Sequence, residues 1–178
     1  INPQKYLYNA SISFAHFAGN DLSDELIDKQ VIEGTLDYQI DTCLAVIKNN
    51  IKHPSIIEGA KTVDTVFLYP DRVFREIIVN ACLHRNYAIT GSSIRVFLFE
   101  NRLEVRSPGR LPNSVTIEKM KAGVSFALNP VLLKFMQNLR YIDKLGRGIP
   151  MVNRIAQQNN KQLILEEIGE EFVLILSF

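Results

Sequence analysis

Residues 70–107 read PDRVFREIIVNACLHRNYAITGSSIRVFLFENRLEVRS. Pro70 suits the first position of a helix, where its missing N–H forfeits no hydrogen bond. Val73, Phe74, Ile77, Ile78, Ala81 and Cys82 recur at helical spacing and predict a core-facing stripe that runs to about Arg85. After the turn Thr90-Gly91-Ser92, the run SIRVFLF (93–99) reads as a strand. Glu100-Asn101-Arg102 reverses the chain and LEVRS (103–107) returns, which predicts a β-hairpin. A helix followed by an antiparallel pair is the start of a layered α+β fold.

The pattern extends in both directions. Pro108-Gly109 and Pro112 punctuate the hairpin's exit. SVTIEKMK (114–121) predicts a short helix capped by Ser114 or Asn113. Asn129-Pro130 starts another, with Val131, Leu132, Phe135 and Leu139 on one side. Gly146-Arg147-Gly148 opens a helix through Gln158, and QLILEE (162–167) and EFVLILS (171–177) close the chain as a hairpin. Upstream, residues 6–18 are apolar and β-leaning, and 29–35 can form a second strand. Ile40, Leu44 and Ile47 mark a helix from Leu36 to about Ile51, closed by His53-Pro54 because a residue before proline avoids helical angles. Val63–Leu68 is a short β-like run. The expected fold is a two-layer α+β sandwich with a mixed, largely antiparallel sheet and helices on one face. Residues 1–65 are expected to be a joining segment of strands and a helix, and 66–178 the main module.

Composition bounds the class. The chain has 178 residues, 47% hydrophobic and 22% charged, which excludes a disordered or collagen-like chain. No apolar run approaches the ~18 residues of a membrane span. Lys+Arg is 20 against 19 Asp+Glu, so the net charge is +1 and no basic grip for nucleic acid covers the domain. Cys43 and Cys82 lie in helix-like apolar settings without a CxxC pair, which suits a reducing cytoplasm. No secretory signal pattern is present. The first residue is Ile1 rather than Met, so a fragment of a longer protein is expected.

Three groups of residues can carry chemistry. Glu76, Asn80 and His84 are spaced i, i+4, i+8 on the helix. Each step drifts only ~40°, so all three share a sector of about 80° over roughly 12 Å. A carboxylate can serve as general base and an amide oxygen can ligate Mg²⁺. The same residues also suit a solvated helix face, and spacing alone favours that plainer reading. Gly146 and Gly148 can expose N–H groups to a phosphate, or simply form a turn. Ser107-Pro108-Gly109 can allow close approach of a ligand, or be a plain turn, which the motif by itself favours. His84, at a helix C-terminus, is expected to be chiefly structural. Arg95, Arg102, Arg106 and Arg110 are expected to form a salt-bridged surface with Glu100 and Glu104 rather than an electrostatic stripe. Phe14, Phe17, Phe97, Phe99 and Phe172 read as core.

The order of these elements resembles the GHKL ATPase family (gyrase B, Hsp90, histidine kinase and MutL type) over about residues 66–178. The resemblance implies bound ATP and Mg²⁺, with Asn80 as the Mg²⁺ ligand and Glu76 orienting water in members that hydrolyse. It implies that Ser107 replaces the adenine-contacting aspartate of a DxGxG motif, with Gly109 kept. Gly146 and Gly148 match the later glycine motif, and 110–145 take the place of the ATP lid. His84 would approach the phosphates or the lid. A closer resemblance rests on YPDRVFREIIVNACLHRNY (69–87), GSSIRVFLFENRLEVRSPGRLP (91–112), NPVLLKFM (129–136) and IDKLGRGIPMV (142–152). These look like the RecG-related C-terminal module that follows an AlbA-type (Schlafen-like) domain in bacterial proteins named transcriptional regulators. In that subfamily the Pro-Gly turn replaces DxGxG as a rule. Residues 2–19 and 28–41 resemble the segment joining the two modules.

The expected function is a degenerate nucleotide-binding regulatory module of a bacterial, cytoplasmic transcriptional regulator. The alternatives are a ligand-free oligomerisation module and an active Mg²⁺-dependent ATPase, with a non-catalytic role favoured. The implied partners are an upstream AlbA-type DNA-binding domain of the same chain and further copies of itself. DNA would be touched only weakly or indirectly, and no membrane is expected. A helicase motor is excluded, because Gly59-Ala60-Lys61-Thr62 lacks the phosphate-cradling GxxxxGK[ST] loop. Titration of duplex DNA against the isolated chain at physiological salt should give dissociation constants no tighter than ~10⁻⁴–10⁻⁶ M. Nanomolar, sequence-specific binding would contradict this reading.

Overall fold

The computed structural model describes residues 3–51, 55–58, 61–64, 69–112, 114–124, 126–142 and 147–178. The N-terminal run alternates apolar residues and becomes strand β1 (Ile12–Phe17), with Ile12 and Phe14 fully buried. Strand β2 (Leu26–Ile32) follows antiparallel to it, and helix α1 (Leu36–Asn50) buries Ile40, Cys43, Val46 and Ile47 along one stripe. A separate small hairpin consists of β3 (Ser55–Glu58) and β4 (Lys61–Asp64). His53-Pro54, residues 65–68 of the expected β-like run, and Gly59-Ala60 lie outside the described residues.

Helix α2 spans Asp71–His84, with Pro70 as its N-cap, one position before the predicted N1. All six residues of the predicted stripe are buried, from Val73 to Cys82. The predicted hairpin forms as β5 (Ile94–Leu98) and β6 (Arg102–Pro108). Three helices follow: α3 (Ile117–Lys121), α4 (Pro130–Asn138) and α5 (Gly148–Gln158). The chain closes with β7 (Leu163–Ile168) and β8 (Glu171–Ser177). Helix α3 starts later than expected. Its cap is Thr116, whose hydroxyl accepts from the Lys119 N–H, rather than Ser114. Asn113, the other expected cap, is outside the described residues.

Six strands make one sheet in the order β2-β1-β5-β6-β8-β7. The β1–β5 pair is parallel and the others are antiparallel. One row runs through Phe14, Val96, Val105, Leu174 and Leu165 across five strands. Each of those side chains is at most 5% exposed, because α1, α2 and α5 pack on that face. The sandwich is therefore α+β and two-layered. β1 sits between β2 and β5, inside the sheet.

The other sheet face is polar and aromatic. Arg95 pairs with Glu171, Arg102 and Arg106 share Glu104, and Arg110 reaches Glu170 at 3.1 Å. The expected salt-bridged surface is present through Glu104, but Glu100 forms no ion pair among the described residues and Glu171 and Glu170 serve instead. Phe17 stacks on Phe99 at 5.2 Å, and the Arg102 guanidinium lies 3.8 Å above the Phe99 ring. Such a layer lets the sheet carry long side chains over apolar neighbours without a second helix layer.

The position of β1 inside the sheet has a measurable consequence. Phe14→Ala should lower unfolding free energy by about 3–5 kcal/mol in urea titrations, as large core deletions do. Val31→Ala, on the exposed edge strand, should stay within about 0.5 kcal/mol. Equal, small effects would mean that β1 is a dispensable attachment.

Candidate functional site

Burying one side of α2 fixes what its other side presents. Arg72, Glu76, Asn80 and His84 all line a cleft of about 620 Å³. The opposite walls are the N-terminal part of α5, through Arg147, Gly148 and Arg154, and the segment after β6, through Val115, Phe126 and Leu133. Glu76, Asn80 and His84 are each half-buried.

The Asn80 amide is oriented. Its Nδ2 donates to the Glu76 carboxylate Oε1 at 2.5 Å and to the Glu76 carbonyl at 2.8 Å. A carboxylate only accepts, so the donor side must face Glu76, and Oδ1 remains as the acceptor atom. Gly148 presses against the same carboxylate: a Cβ built there would lie 1.5 Å from Glu76 Oε1. A side chain at 148 would therefore displace the Glu76 carboxylate from where α5 meets it. A carboxylate beside a helix N-terminus is also electrostatically favourable. Gly146, the first glycine of that motif, lies outside the described residues.

Ser107 and Gly109 lie to the other side of α2. The Ser107 hydroxyl donates to the Ala81 carbonyl at 2.9 Å and the residue is 4% exposed. Gly109 has φ +120°, and a Cβ there would come within 2.7 Å of Asn86 Cβ. The Asn86 N–H donates to the Pro108 carbonyl at 2.7 Å, closing α2's exit onto the end of β6. Ser107 and Gly109 line a second, small cavity of about 30 Å³, which shares Asn80 and His84 with the large cleft.

The described residues between 110 and 142, part of the 110–145 stretch expected in the lid position, form the outer wall of the cleft and are tied down by polar contacts, with Arg110 donating to the Gly169 carbonyl at 2.8 Å and the Leu111 N–H to Glu167 at 2.7 Å. The Asn129 amide donates to the carbonyls of Leu83 (2.7 Å) and Arg85 (2.9 Å), capping the C-terminus of α2 from another element. The Tyr141 hydroxyl donates to Asp41 on α1 at 2.6 Å. The face expected to pack on α4 is largely turned out: Val131 is 81%, Phe135 46% and Leu139 42% exposed, while Met136 is buried. Sequence reading missed Arg72 and Arg154 as residues lining the cleft, and Asn129 as the tie between its outer wall and α2. Asn before Pro signalled a cap for its own helix, but nothing local named the carbonyls of α2 as its partners.

Electrostatics separate structural groups from exposed ones. Burial pushes the Cys82 thiol up to about 12 and Cys43 higher still, so neither is a nucleophile at neutral pH. Burial also lowers His84 below its ordinary range, and a hydrogen bond to the Phe126 backbone partly opposes that. Arg85 is 2% exposed, donates to the Ser92 carbonyl at 2.8 Å and stacks over Tyr87. Among the described residues, no group of three or more His, Cys, Asp or Glu side chains could hold a metal ion. No helix among them is long and apolar enough to cross a membrane.

Residues 91–176 match the family model described as "Putative ATP-dependent DNA helicase recG C-terminal". The fold is ATPase-like. No curated protein matches the chain. Among solved structures, the DIP2311 protein from Corynebacterium diphtheriae is similar, with a TM-score of 0.80 and 24% sequence identity. That alignment covers 96% of this chain and 35% of the other, so this chain spans about a third of that protein's length. At this identity the likeness shows a shared fold.

His84 links the cleft to stability. Its folded value lies below the unfolded value of 6.5, so the unfolded chain takes up the proton first as pH falls. The stabilising contribution is full above the unfolded value and is lost as pH drops through it toward the folded one. Urea midpoints at pH 7.5 and 5.5 should therefore fall more steeply for the parent chain than for His84→Gln. Identical slopes would remove His84 from the account.

Proposed function

We propose that the cleft along α2 binds a nucleoside triphosphate with Mg²⁺, and that the chain is a regulatory nucleotide-binding module within a longer bacterial DNA-associated regulator. The observation that carries this reading is the oriented Asn80 amide. Glu76 holds its donor side, which leaves a neutral oxygen for a hard cation on the wall of a cleft of about 620 Å³. The donor set fits a cation that retains most of its ligands from water and phosphate, as Mg²⁺ does, because a single amide oxygen cannot form a complete cage. The ATPase-like fold of residues 91–176 supports the same reading.

The residues divide the work. Asn80 would hold the metal, and the metal would bring charge neutralisation to the phosphate chain. Glu76 orients Asn80 and can accept a proton from a water in the cleft. Gly148 keeps the head of α5 close enough to fix Glu76. Ser107 pins β6 to α2 and has its hydroxyl proton committed to that contact. A regulatory role is favoured over rapid turnover because the carboxylate available as base is already engaged by Asn80.

A second reading, self-assembly, draws support from α4. Val131, Phe135 and Leu139 repeat at i, i+4, i+8 and are all exposed.

Titration of a fluorescent ATP analogue with and without Mg²⁺ separates the two readings. Asn80→Ala should weaken Mg²⁺-dependent binding by about tenfold or more, the size of one charge-assisted contact. Glu76→Gln, which can still accept from Asn80, should retain binding and lose any hydrolysis. No Mg²⁺-dependent binding by the parent chain would leave self-assembly as the reading.

A further inference from the structure

The exposed stripe of α4 lies in basic surroundings. Lys134 and Arg140 stand beside Phe135 and Leu139, and Lys119 and Lys121 on α3 are exposed as well. Residues 110–142 hold five basic residues against one acid, Glu118, in a chain whose net charge is only +1. Lys119, Lys121, Lys134 and Arg140 form no ion pair among the described residues.

Residues 21–41 have the opposite character. They hold seven acidic residues against one base, Lys29. Asp21, Glu25, Glu33 and Asp41 are exposed, and none of the seven acids forms an ion pair among the described residues. This stretch also shows apolar surface, with Ile27 51% and Val31 58% exposed on β2 at the edge of the sheet. Strand addition at that edge is impeded. Ile27 is an extra residue there, since His16 pairs with Asp28 and Phe17 with Leu26. Such a bulge, with Lys29 beside it, guards an edge against a further strand. A partner would meet the side chains of β2 rather than its backbone.

The two surfaces adjoin. Tyr141, at the end of the basic segment, donates its hydroxyl to Asp41, at the end of the acidic one, at 2.6 Å. A surface with a basic half and an acidic half, each carrying exposed apolar side chains, is complementary to itself across a two-fold axis. The basic half of one copy meets the acidic half of the other, twice. Packing α4 on α4 would instead bring Lys134 and Arg140 toward their own equivalents, and opposed like charges cost affinity. A nucleic acid would be repelled by the acidic half and would leave the α4 stripe uncovered.

We propose that the chain forms a two-fold dimer in which the α4 stripe, with Lys134 and Arg140, docks on the β2 edge of a second copy beside Glu25 and Glu33. The proposal rests on the self-assembly reading above, to which it gives the second surface and the symmetry, and it is independent of nucleotide.

Sedimentation equilibrium of the chain without nucleotide, from about 1 to 300 μM, covers the range in which small transient interfaces dissociate. A monomer–dimer equilibrium that weakens as salt rises is expected. Lys134→Glu/Arg140→Glu and Glu25→Lys/Glu33→Lys should each weaken dimerisation by about tenfold or more, because each gives both halves one sign. Mixed in equal amounts, the two variants should recover a dimer at least as tight as the parent's, since their surfaces are opposite in charge throughout. Phe135→Ser should weaken the parent dimer as well. Thermal midpoints recorded for all variants separate lost pairing from lost folding. A folded Glu25→Lys/Glu33→Lys variant that dimerises like the parent overturns the proposal, and so does a mixture that stays monomeric. In either case a parent dimer still broken by Phe135→Ser leaves the self-assembly reading standing with another surface opposite α4. A parent that is monomeric at the highest concentration removes both, and duplex DNA bound by that monomer through Lys134 and Arg140 would assign the basic half to nucleic acid instead.

Discussion

The angle at which α2 lies on the sheet is the constraint on which the site depends. It is held by the buried stripe from Val73 to Cys82 and by the Ser107 hydroxyl bonded to the Ala81 carbonyl. The hydrogen bond contributes only about 1 kcal/mol, and apolar burial supplies most of the energy. Its value is geometric. A helix turn of ~100° per residue means that a small rotation would move Asn80 out of the cleft and bring a core residue in. Pinning one carbonyl of α2 to β6 excludes that rotation.

The outer wall depends on α2 in turn. Asn129 caps the last carbonyls of α2, Tyr141 reaches α1, and Arg110 and Leu111 reach Gly169 and Glu167, so a segment with few buried apolar residues is held over the cleft by polar ties along its length. Among its described residues only Val115 and Met136 are buried. Such a segment has low local stability, and sparsely packed elements are the ones that open first. A ligand entering the cleft would work against these few ties rather than against the core.

On the far side of the sheet, charge and aromatic surface replace a second helix layer. Glu104 is 4% exposed and accepts from two arginines, Arg102 and Arg106. A buried carboxylate is costly to leave unpaired, so the two guanidiniums are structural before they are anything else. This distinguishes them from Arg72 and Arg154. The arginines clustered in sequence on the hairpin are occupied, whereas the two at the cleft mouth stand far apart in the chain.

Much of the fold was legible from periodicity. The α2 stripe, the β5–β6 and β7–β8 hairpins and the start of α5 all follow local rules, because helix and strand periods reach only a few residues. Local signals also placed Glu76, Asn80 and His84 on one side of one helix. They left other matters undetermined. Nothing in ISFAHF (12–17) announces a parallel partner in Ile94–Leu98, since parallel pairing joins segments distant in sequence. The outward turn of Val131 and Phe135 depends on how Asn129 docks, not on their own spacing. Gly148 reads as a turn glycine, yet it packs against a carboxylate more than seventy residues earlier in the chain. The size of the cavity beside Ser107 is set where α2, α3, α5, β6 and β8 meet. The sequence by itself determined the elements and the polar side of α2, because these are decided by neighbours in the chain. Only the tertiary structure decided which charges remain available and where space is left, because both depend on contacts between residues that the chain keeps far apart.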